Sequence, residues 1–428
     1  MAKRRQFFKQ LGYLGTGLTY GKIFTEELDQ RLNEAIFTVD ANPLIAATDE
    51  KFWEVVKSTY RTSDKLMNLN NGGVSPHPLI VEEALFNYHK IANAVPSYDM
   101  WRVMDRNKDT LREELALLAS CSSEEIAIQR NSTEAIETVI FGLPLKKGDE
   151  VILTRQDYPN MINAWKQREL RDKIKLVWLD FDFPIENEQI IVDRYAEAIT
   201  QKTKLLHVTH VINWMGQILP VKALSTLAHD NGAEILIDGA HSFAHFDFSL
   251  GDIDCDYFGS SLHKWLGAPF GTGMLFVRKN KIKKLYPLFA APNARSKNIS
   301  KFEHLGTRSI PIEKAITSAI YFHNKIGIER KEARLRYLKN YWAERVNHIE
   351  GVRIGTSLEE NYSCGIALLQ LADKDPEKIA NRLLKEFGIH TVGIYWHNIE
   401  GIRITPNVYT LKKDMDRLVN AIQTIAKT

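Results

Sequence analysis

The feature of this sequence that most constrains its fold is a regular alternation of short apolar segments with amphipathic ones between residues 125 and 238. The apolar segments have the length of β-strands, and the segments between them carry apolar residues at helical spacing. The predicted strands are 125–129, 150–153, 175–179, 204–209 and 234–238, and the predicted helices between them are 133–142, 160–171, 192–200 and 221–231. This alternation predicts an α/β fold with a largely parallel sheet and helices on both of its faces.

A different pattern begins after about residue 310. A long helix is predicted first, at 312–348, and is followed by strands near 352–356, 364–371 and 401–405 and by helices at 376–387 and 411–426. A chain of 428 residues is also longer than one hydrophobic core usually organises, so two domains are expected. We therefore predict a large domain over residues 28–310, beginning with a helical segment at 28–66, and a smaller α+β domain over residues 311–428.

The N-terminal segment resembles a twin-arginine export signal. Residues 3–9 read Lys-Arg-Arg-Gln-Phe-Phe-Lys and precede a mildly apolar stretch, residues 11–24, that is rich in Gly and Thr. Lys22 interrupts this stretch, and an amphipathic surface helix with a basic start is the alternative interpretation. We expect residues 1–27 to be a signal that directs the protein to the periplasm; without a functional signal the protein would be cytoplasmic.

Composition argues against several classes of function. The formal net charge is +3, and the basic residues are scattered along the chain, which disfavours nucleic acid as the main partner. No apolar run is long enough to span a bilayer. Cys121, Cys255 and Cys364 have spacings that match neither a metal site nor a disulfide framework, so we expect no metal.

Two polar residues stand where a ligand is expected. Asp238 ends a predicted buried strand, Ile-Leu-Ile-Asp, and open α/β sheets bind ligands at the carboxyl ends of their strands. Lys264 lies between bulky apolar residues and a glycine-rich turn, where a buried ammonium is costly unless it is paired or neutralised. Taken alone, Asp238 is more often a turn or cap residue, and Lys264 is more often a surface lysine with a buried stem.

Together, this carboxylate and this lysine suit a pyridoxal phosphate cofactor. Asp238 would pair with the protonated pyridine nitrogen, and Lys264 would form a Schiff base through an amine activated by desolvation. Ser261 and His263, in Ser-Leu-His-Lys, can donate hydrogen bonds to the cofactor phosphate. The sequence therefore predicts an enzyme that uses pyridoxal phosphate.

Several segments, in order along the chain, resemble the class V aminotransferase family of pyridoxal-phosphate enzymes. They include Asn-Ser-Thr-Glu-Ala at 131–135, the segments around Asp238 and Lys264, and Gly-Ile-Arg-Ile-Thr-Pro at 401–406. The resemblance covers roughly residues 60–425. It implies the aspartate aminotransferase-like fold of pyridoxal-phosphate-dependent transferases, with a large domain on a mostly parallel sheet and a smaller C-terminal α+β domain. The family includes cysteine desulfurases, kynureninases and isopenicillin N epimerases.

The resemblance also assigns residues around the cofactor. Asn-Ser-Thr opens a predicted helix whose free N–H groups favour a phosphate, and the resemblance implies that Ser132 and Thr133 bind it. It also implies that Tyr158 stacks over the pyridine ring, and that Asn213 and His241 lie near the 3-hydroxyl group. Without the family match, a capped helix with no ligand and a core or rim tyrosine are the simpler interpretations.

Three further residues are assigned to the substrate and to a neighbouring subunit. Arg403 corresponds to the arginine that binds the substrate α-carboxylate, a task for which a planar guanidinium is well suited. Asn71 lies in a loop, Asn-Asn-Gly-Gly, whose backbone approaches the substrate in relatives. Thr307 lies in a segment that relatives lend across a dimer interface to the neighbour's phosphate. The resemblance thus implies a homodimer with shared active sites and an amino-acid-type substrate.

The segment before Arg403 departs from the pattern of cysteine desulfurases. Those enzymes need a cysteine on a mobile loop there, whereas residues 392–401 contain none. Cys364 lies well upstream in an apolar strand and is expected to be a core residue. Gly-Thr-Arg at 306–308 and Asn-Ser-Thr-Glu-Ala instead favour the isopenicillin N epimerase-like branch. We therefore expect chemistry at the Cα of an amino acid or amino-acid-derived substrate, without a catalytic cysteine.

The residues expected to carry this chemistry are Lys264, Asp238, Tyr158 and His241. An aminotransferase or a cysteine-type lyase on the same scaffold is the alternative, because these reactions differ only in which bond at Cα breaks or where the proton returns. A non-enzymatic pyridoxal-phosphate-binding regulator is disfavoured, since the sequence has no helix-turn-helix pattern and no basic extra domain.

Overall fold

The computed structural model describes residues 19–427 of the chain. The α-helices are α1 (Thr19–Thr38), α2 (Pro43–Ala46), α3 (Glu50–Ser58), α4 (Leu79–Ala94), α5 (Pro96–Tyr98), α6 (Lys108–Ala119), α7 (Ser132–Gly142), α8 (Pro159–Asp172), α9 (Glu188–Ala198), α10 (Val221–Asp230), α11 (Leu250–Ile253), α12 (Ile310–Lys314), α13 (Ile316–Ile326), α14 (Ile328–Val346), α15 (Pro376–Phe387) and α16 (Lys412–Ala426). The β-strands are β1 (Met67–Asn68), β2 (Ile126–Gln129), β3 (Glu150–Thr154), β4 (Lys175–Leu179), β5 (Thr203–Thr209), β6 (Glu234–Asp238), β7 (Tyr257–Ser261), β8 (Gly273–Val277), β9 (Val352–Ile354), β10 (Ala367–Leu371), β11 (Ile389–His390), β12 (Val392–Trp396) and β13 (Ile399–Ile404).

Residues 1–18 of the export signal predicted at 1–27 lie outside the described part of the chain, and residues 19–27 belong to α1, so the role of this segment stays a prediction. Across residues 19–427, no helix is both long enough and apolar enough to cross a membrane.

The large domain is built on a seven-stranded sheet with the strand order β2-β8-β7-β6-β5-β3-β4. Neighbouring strands run parallel except at β8, which is antiparallel to both β2 and β7. Every residue of β2, β3, β7 and β8 is buried, as expected for a sheet covered by helices on both faces. The predicted α/β fold with a mostly parallel sheet is confirmed.

Strand β7 is absent from the predicted pattern because Gly259, Ser260 and Ser261 interrupt the apolar run that marks a buried strand. Strand β8 is absent too, although its sequence is largely apolar. The glycine has a packing role that a hydrophobicity pattern does not reveal. A Cβ at Gly259 would lie 2.6 Å from Cγ1 of Ile136 in α7. Glycine therefore allows α7 to pack closely on the sheet at the strand that leads to Lys264.

The parallel strands bring their carboxyl ends to one edge of the sheet. Asp238, the last residue of β6, pairs in register with Thr209 at the end of β5 and with Gly259 in β7. Lys264 follows the end of β7 after a short turn. The fold thus places Asp238 and Lys264 at the same edge, where ligands of open α/β sheets bind.

The smaller domain has a four-stranded antiparallel sheet in the order β12-β13-β10-β9. Its core joins this sheet to α14, α15 and α16 and includes Trp342, Leu369, Ile402 and Leu418. The segment that starts at β1 also belongs here, since β1 pairs in parallel with β11 and Leu69 is part of the same core. The chain therefore enters the small domain once before it builds the large one.

The single long helix predicted at 312–348 is wrong. The structure has three helices there, α12, α13 and α14, and α14 begins after Gly327, whose φ of 85° is incompatible with a continuous right-handed helix. Ile316 and Ile320 in α13 pack into the core of the large sheet, so this helix joins the two domains. The domain boundary at residue 310 stays a prediction.

Candidate active site

Lys264 faces a histidine at the carboxyl edge of the sheet. Its Nζ lies 3.0 Å from Nε2 of His241. Burial lowers the pKa of Lys264 to about 8; the carboxylate of Asp238 opposes this shift, and the guanidinium of Arg403 adds to it. About a tenth of such an amine is uncharged at pH 7, far more than for an ordinary lysine. Lys264 can therefore act as a nucleophile or a base without first losing a proton to a strong base.

Asp238 is 4% exposed and is held by its own strand end. Its Oδ1 accepts a hydrogen bond from the N–H of Ala240 at 2.9 Å. Burial raises the pKa of Asp238, while the Ala240 hydrogen bond and the nearby charges of His207 and Lys264 oppose the shift. A protonated ring nitrogen beside this carboxylate would stabilise its charged form, which is the role predicted for Asp238.

His241 is 4% exposed and contacts both Lys264 and the residue after it. Its Nδ1 accepts a hydrogen bond from Nε1 of Trp265 at 3.4 Å. Burial, together with the positive charges of Lys264 and Arg403, lowers the pKa of His241 well below its ordinary value. The imidazole is therefore uncharged at neutral pH and acts through its hydrogen bonds rather than through a charge.

The predicted phosphate ligands lie together at the start of α7. Asn131 caps this helix, accepting a hydrogen bond from the N–H of Glu134 at 2.9 Å. The hydroxyl of Ser261, at the end of β7, accepts from the N–H of Ser132 at 2.9 Å and lies 3.0 Å from the Ser132 hydroxyl. Ser132 and Thr133 are the first two helical residues, so their hydroxyl groups lie at the positive end of the helix dipole, where a phosphate is favoured.

His263, one residue before Lys264, is a further predicted ligand of the phosphate. Its Nδ1 lies 3.0 Å from the carbonyl oxygen of Thr272, so Nδ1 carries a proton and donates it. Burial lowers the pKa of His263, and the charge of Lys264 adds to this. In the uncharged ring Nε2 is only an acceptor, so His263 can donate to a phosphate only when that phosphate stabilises the protonated form.

Arg403 lies on β13 and reaches from the small domain to the large one. Its side chain donates to the carbonyl oxygen of Asn213 at 3.0 Å and to Oδ1 of Asn70 at 2.9 Å. Burial lowers the pKa of Arg403 to about 10, and the nearby hydroxyl of Tyr158 opposes this shift. Arg403 therefore keeps its charge at neutral pH while it is 7% exposed, as a carboxylate-binding arginine requires.

Two neighbouring asparagines, Asn70 and Asn71, have different contacts in the loop before Ser75. Asn71 is fully buried, and its amide bonds to the carbonyl oxygens of Asn68 and Thr405 and to the Tyr409 hydroxyl. Its neighbour Asn70 instead contacts Arg403. The binding of substrate by Asn71 stays a prediction, and in this structure its backbone is the part left to make that contact.

Tyr158 stands at the start of α8 and is 40% exposed. The turn before it is fixed by Asp157, whose carboxylate accepts from the N–H of Thr154 and from the hydroxyl of Thr209, each at 2.8 Å. The Tyr158 ring lies 6.5 Å from that of Trp214. An aromatic ring held on such a braced turn suits stacking on a flat ligand.

A hairpin of the small domain closes over this turn. The hairpin joins β12 to β13, and its Trp396 ring stacks on Trp214 with centroids 5.1 Å apart. Asn398 accepts from the amide of Gln156 at 2.9 Å, and His397 lies 2.7 Å from the carboxylate of Asp180. The segment 392–401, which has no cysteine, thus forms a contact between the two domains.

Thr307 lies apart from these residues, in an exposed loop. Its neighbour Arg308 pairs with Asp105 at 2.9 Å and with Glu313 at 2.6 Å, which fixes one end of the loop. The binding of a cofactor phosphate by Thr307 stays a prediction that depends on a second subunit.

The residues present fit pyridoxal phosphate. Oδ1 of Asn213 and Nε of Arg403 are fully buried without a hydrogen-bond partner, and such atoms are costly unless a ligand satisfies them. The surrounding groups include a carboxylate for a ring nitrogen, an amine for an aldehyde, and a helix N-terminus for a phosphate. Four further residues contribute to the site: Asn70, Asp157, Trp214 and Trp265. The sequence assigned no role to them, because they contact segments that are distant along the chain.

The chain is similar in sequence to several known proteins. Residues 67–393 match the family described as Aminotransferase class-V. A probable cysteine desulfurase of Halalkalibacterium halodurans is 27% identical over 84% of this chain and 92% of its own length. An isopenicillin N epimerase of Streptomyces clavuligerus is 26% identical over 87% of this chain and 98% of its own length.

Solved structures show the same fold. The cysteine desulfurase of Thermococcus onnurineus has a TM-score of 0.78 at 20% identity, over 87% of this chain and 98% of that one. The cystine C-S lyase C-DES has a TM-score of 0.75 at 19% identity, over 84% of this chain and 97% of that one. The predicted aspartate aminotransferase-like fold is thereby confirmed. The chain belongs to the class V aminotransferase family and is an enzyme that depends on pyridoxal phosphate.

Proposed function

We propose that this enzyme acts at the Cα of an amino acid or amino-acid-derived substrate, in the manner of isopenicillin N epimerases. The observation that carries the proposal is the position of a buried guanidinium, Arg403, near the amine of Lys264. Arg403 is a buried, charged guanidinium with an unpartnered Nε, and its charge is close enough to Lys264 to lower the pKa of that amine. A substrate carboxylate bound to Arg403 would therefore hold its Cα near a base.

The residues of the site divide the work between binding and proton transfer. Pyridoxal phosphate, when bound, withdraws electrons from the Cα of an amino acid, so that a bond to this carbon can break. Asp238 would keep a positive charge on the cofactor's ring nitrogen, and Ser132 and Thr133 would hold its phosphate at the start of α7. Lys264 would hold the cofactor before substrate binds, and its amine, once free, would take the proton from the substrate Cα.

Epimerisation needs a second proton donor on the opposite face of the substrate. Tyr158, His241 and His397 are the candidates from the sequence. His241 contacts Lys264 and therefore lies on the same face of the substrate as that amine. His397 lies on the hairpin between β12 and β13 and contacts Asp180. Tyr158 is partly exposed, and its hydroxyl interacts with Arg403. These contacts favour Tyr158 as the second donor.

Sulfur transfer through a persulfide finds no support in the cysteines of this chain. Burial raises the pKa of both Cys121 and Cys364 to about 12, and it also raises the pKa of the fully buried Cys255. A persulfide forms on a thiolate, and these thiols stay protonated at neutral pH. A lyase that needs no cysteine of its own is the second candidate, because two relatives at 27–28% identity are described as probable cysteine desulfurases.

A panel of L- and D-amino acids, incubated with the purified enzyme in deuterated water, distinguishes these functions. We expect deuterium at Cα together with product of inverted configuration. Keto acid without inversion would instead identify an aminotransferase. Sulfide released from cysteine, and still released after replacement of all three cysteines, would identify a lyase.

The proposal includes a homodimer with shared active sites. Thr307 and Gly306 are exposed, and the salt bridges of Arg308 fix the adjoining chain. An exposed loop of this kind is suited to reach the site of a second copy, as the resemblance implies for this segment.

We also propose that residues 1–27 direct the protein to the periplasm by the twin-arginine route, on the basis of Lys-Arg-Arg-Gln-Phe-Phe at residues 3–8. Residues 1–27 fused to a folded fluorescent reporter should move it to the periplasm. Replacing Arg4 and Arg5 by lysine should retain the reporter in the cytoplasm, and unchanged export of that variant would refute the assignment.

A further inference from the structure

The indole of Trp265 connects the Lys264 amine to the protein interior through His241. We propose that Trp265 is a positioning residue, which fixes the tautomer of His241 so that its Nε2–H points at Nζ of Lys264 and favours the uncharged amine. The inference rests on the proposed function only in taking Lys264 as the lysine that holds the cofactor.

The proton count at His241 leads to this assignment. An indole nitrogen is only a donor, so the contact of 3.4 Å from Trp265 Nε1 makes Nδ1 of His241 an acceptor that carries no proton. A neutral imidazole then carries its one proton on Nε2, which lies 3.0 Å from Nζ of Lys264. An ammonium has only donors, whereas an uncharged amine can accept this proton. Both contacts are satisfied together only when the amine is uncharged.

Trp265 is itself held by a second histidine. The rings of His245 and Trp265 lie face to face, with centroids 3.6 Å apart and an interplanar angle of 2°. Nε2 of His245 accepts from the N–H of Gly365 at 2.9 Å, so Nδ1 carries the proton and donates to the carbonyl oxygen of His241 at 2.7 Å. Lys331 donates to the carbonyl oxygen of Trp265. These contacts leave the indole little freedom to turn its N–H away from His241.

This arrangement reaches the small domain through a close backbone contact. Gly365 lies shortly before β10, and a Cβ at this position would be 2.9 Å from Nε2 of His245. Glycine thus permits the backbone N–H to approach the histidine ring. The orientation of Trp265 therefore depends on how the small domain packs against the large one.

The other charged groups that face Lys264 come from two strands and act in opposite directions. Asp238, at the end of β6, favours the ammonium, and Arg403, on β13, disfavours it. Burial is the largest influence and lowers the pKa of Lys264. The Trp265–His241 pair differs from these two charges and from burial, because it acts on Lys264 through the direction of one hydrogen bond. Its consequence is an amine ready to attack a carbonyl carbon near neutral pH.

The first experiment measures the tautomer in the wild-type protein. Full-length protein labelled with 15N-histidine and freed of cofactor is compared by NMR with the His241→Gln variant, which identifies the His241 signals. The chemical shifts of the two ring nitrogens distinguish the tautomers. We expect the proton on Nε2 at neutral pH. A proton on Nδ1, or on both nitrogens, would overturn the inference without any change in the core.

The second experiment removes the indole N–H and keeps an aromatic ring against His245. In Trp265→Phe, His241 is free to accept from the ammonium, so the apparent pKa of Lys264 should rise by about one unit. Labelling of Lys264 by trinitrobenzenesulfonate in the cofactor-free protein should then be roughly tenfold slower at neutral pH, as measured on the Lys264 peptide by mass spectrometry.

Trp53→Phe is the matched control, because it removes an indole hydrogen bond of 2.8 Å to the carbonyl oxygen of Ala46 in a different core cluster. It should leave the labelling profile of Lys264 unchanged. An unchanged profile in Trp265→Phe as well would contradict the role of Trp265. Neither experiment uses a substrate, so the proposed Cα chemistry can fail while this inference holds, and the reverse.

Discussion

Burial moves the two central ionisable groups of the site toward their uncharged forms. It raises the pKa of Asp238 and lowers that of Lys264 to about 8. For Lys264 the result is a usable amine, whereas for Asp238 it is a carboxyl group that regains its charge when a cation is bound beside it. The two shifts have the same cause but opposite consequences for function.

Asp238→Asn tests the role of this carboxylate. The variant should still bind the cofactor, because the phosphate site and Lys264 are intact. Its turnover should fall about a thousandfold or more, equal to roughly 4 kcal/mol, because the ring nitrogen loses the group that keeps it charged. Glu234→Gln, at the other end of β6, is the control and should stay near the wild-type rate. Near wild-type turnover in Asp238→Asn would remove this residue from the mechanism.

Arg403→Lys tests the carboxylate site. Lysine keeps the charge but loses the planar pair of donors, so kcat/KM should fall, mainly through a higher KM. The fall should correspond to a loss of about 1–3 kcal/mol of transition-state stabilisation. The cofactor absorbance should stay unchanged. Arg353→Lys, an exposed position on β9 of the same sheet, should have no effect. Loss of cofactor from Arg403→Lys with normal handling of substrate would show the assignment to be wrong.

Site residues were predictable from the sequence where a local pattern of apolar and polar residues marks their position. Asp238 ends a buried strand that is visible from hydrophobicity alone, and Lys264 was recognised from its bulky apolar neighbours and the glycine-rich turn after it. Asn70 and Asn71 are neighbours of the same type, and only the backbone of the loop determines which one meets Arg403. The contact of Trp265 with His241 depends on the path of the turn after β7, which no pattern predicts.

At the scale of elements, the regular βα alternation was predictable and the interruptions were not. Strands β3 to β6 coincide with predicted segments, because their apolar runs are bounded by polar turns. β7 was obscured by small residues that allow α7 to pack closely. β12 was missed because Gly393 and exposed residues such as Tyr395 weaken its apolar pattern.

The hairpin between β12 and β13 offers a prediction at this scale. Asn398→Ala removes hydrogen bonds to Gln156, to the carbonyl oxygen of Phe181 and to Asp182. The free energy of unfolding should fall by about 1–3 kcal/mol, and the KM for substrate should rise while the cofactor absorbance is unchanged.

Tyr395→Ala changes the same hairpin, but Tyr395 bonds to Asp375 within the small domain. The KM of this control should match that of the wild type. An equal rise of KM in both variants would mean that the hairpin affects the site only through its general stability.

At the scale of the whole molecule, the active site joins two domains. Arg403 belongs to the small domain but bonds to the backbone of Asn213 in the large one, and Gly365 contacts His245 across the same boundary. Any movement between the domains would therefore change the surroundings of both Arg403 and Lys264. The sequence pattern predicted two domains. It did not show that residues 67–75 cross into the small one, because that depends on pairing between β1 and β11.

Mixing of two inactive variants tests whether the sites are shared. Lys264→Ala removes the amine from its own chain, and Thr307→Glu places a negative charge where a neighbour's phosphate is expected. In an equal mixture half of the dimers contain one of each chain, and each of these has one intact site, so about a quarter of wild-type activity should return. No recovery, or full activity in Thr307→Glu alone, would contradict shared sites.

The central claim is that Lys264 holds the cofactor, and the most direct test is to reduce the holoenzyme with borohydride and locate the attached cofactor by peptide mass spectrometry. Burial also lowers the pKa of Lys331 to about 7 and that of Lys301 and Lys339 to about 8, so a low lysine pKa does not by itself identify the attachment site. We predict that the reduced cofactor is found on the peptide that contains Lys264, and that the attachment is lost in Lys264→Ala. Cofactor attached to Lys331, or retained covalently at the same site in Lys264→Ala, would contradict the account.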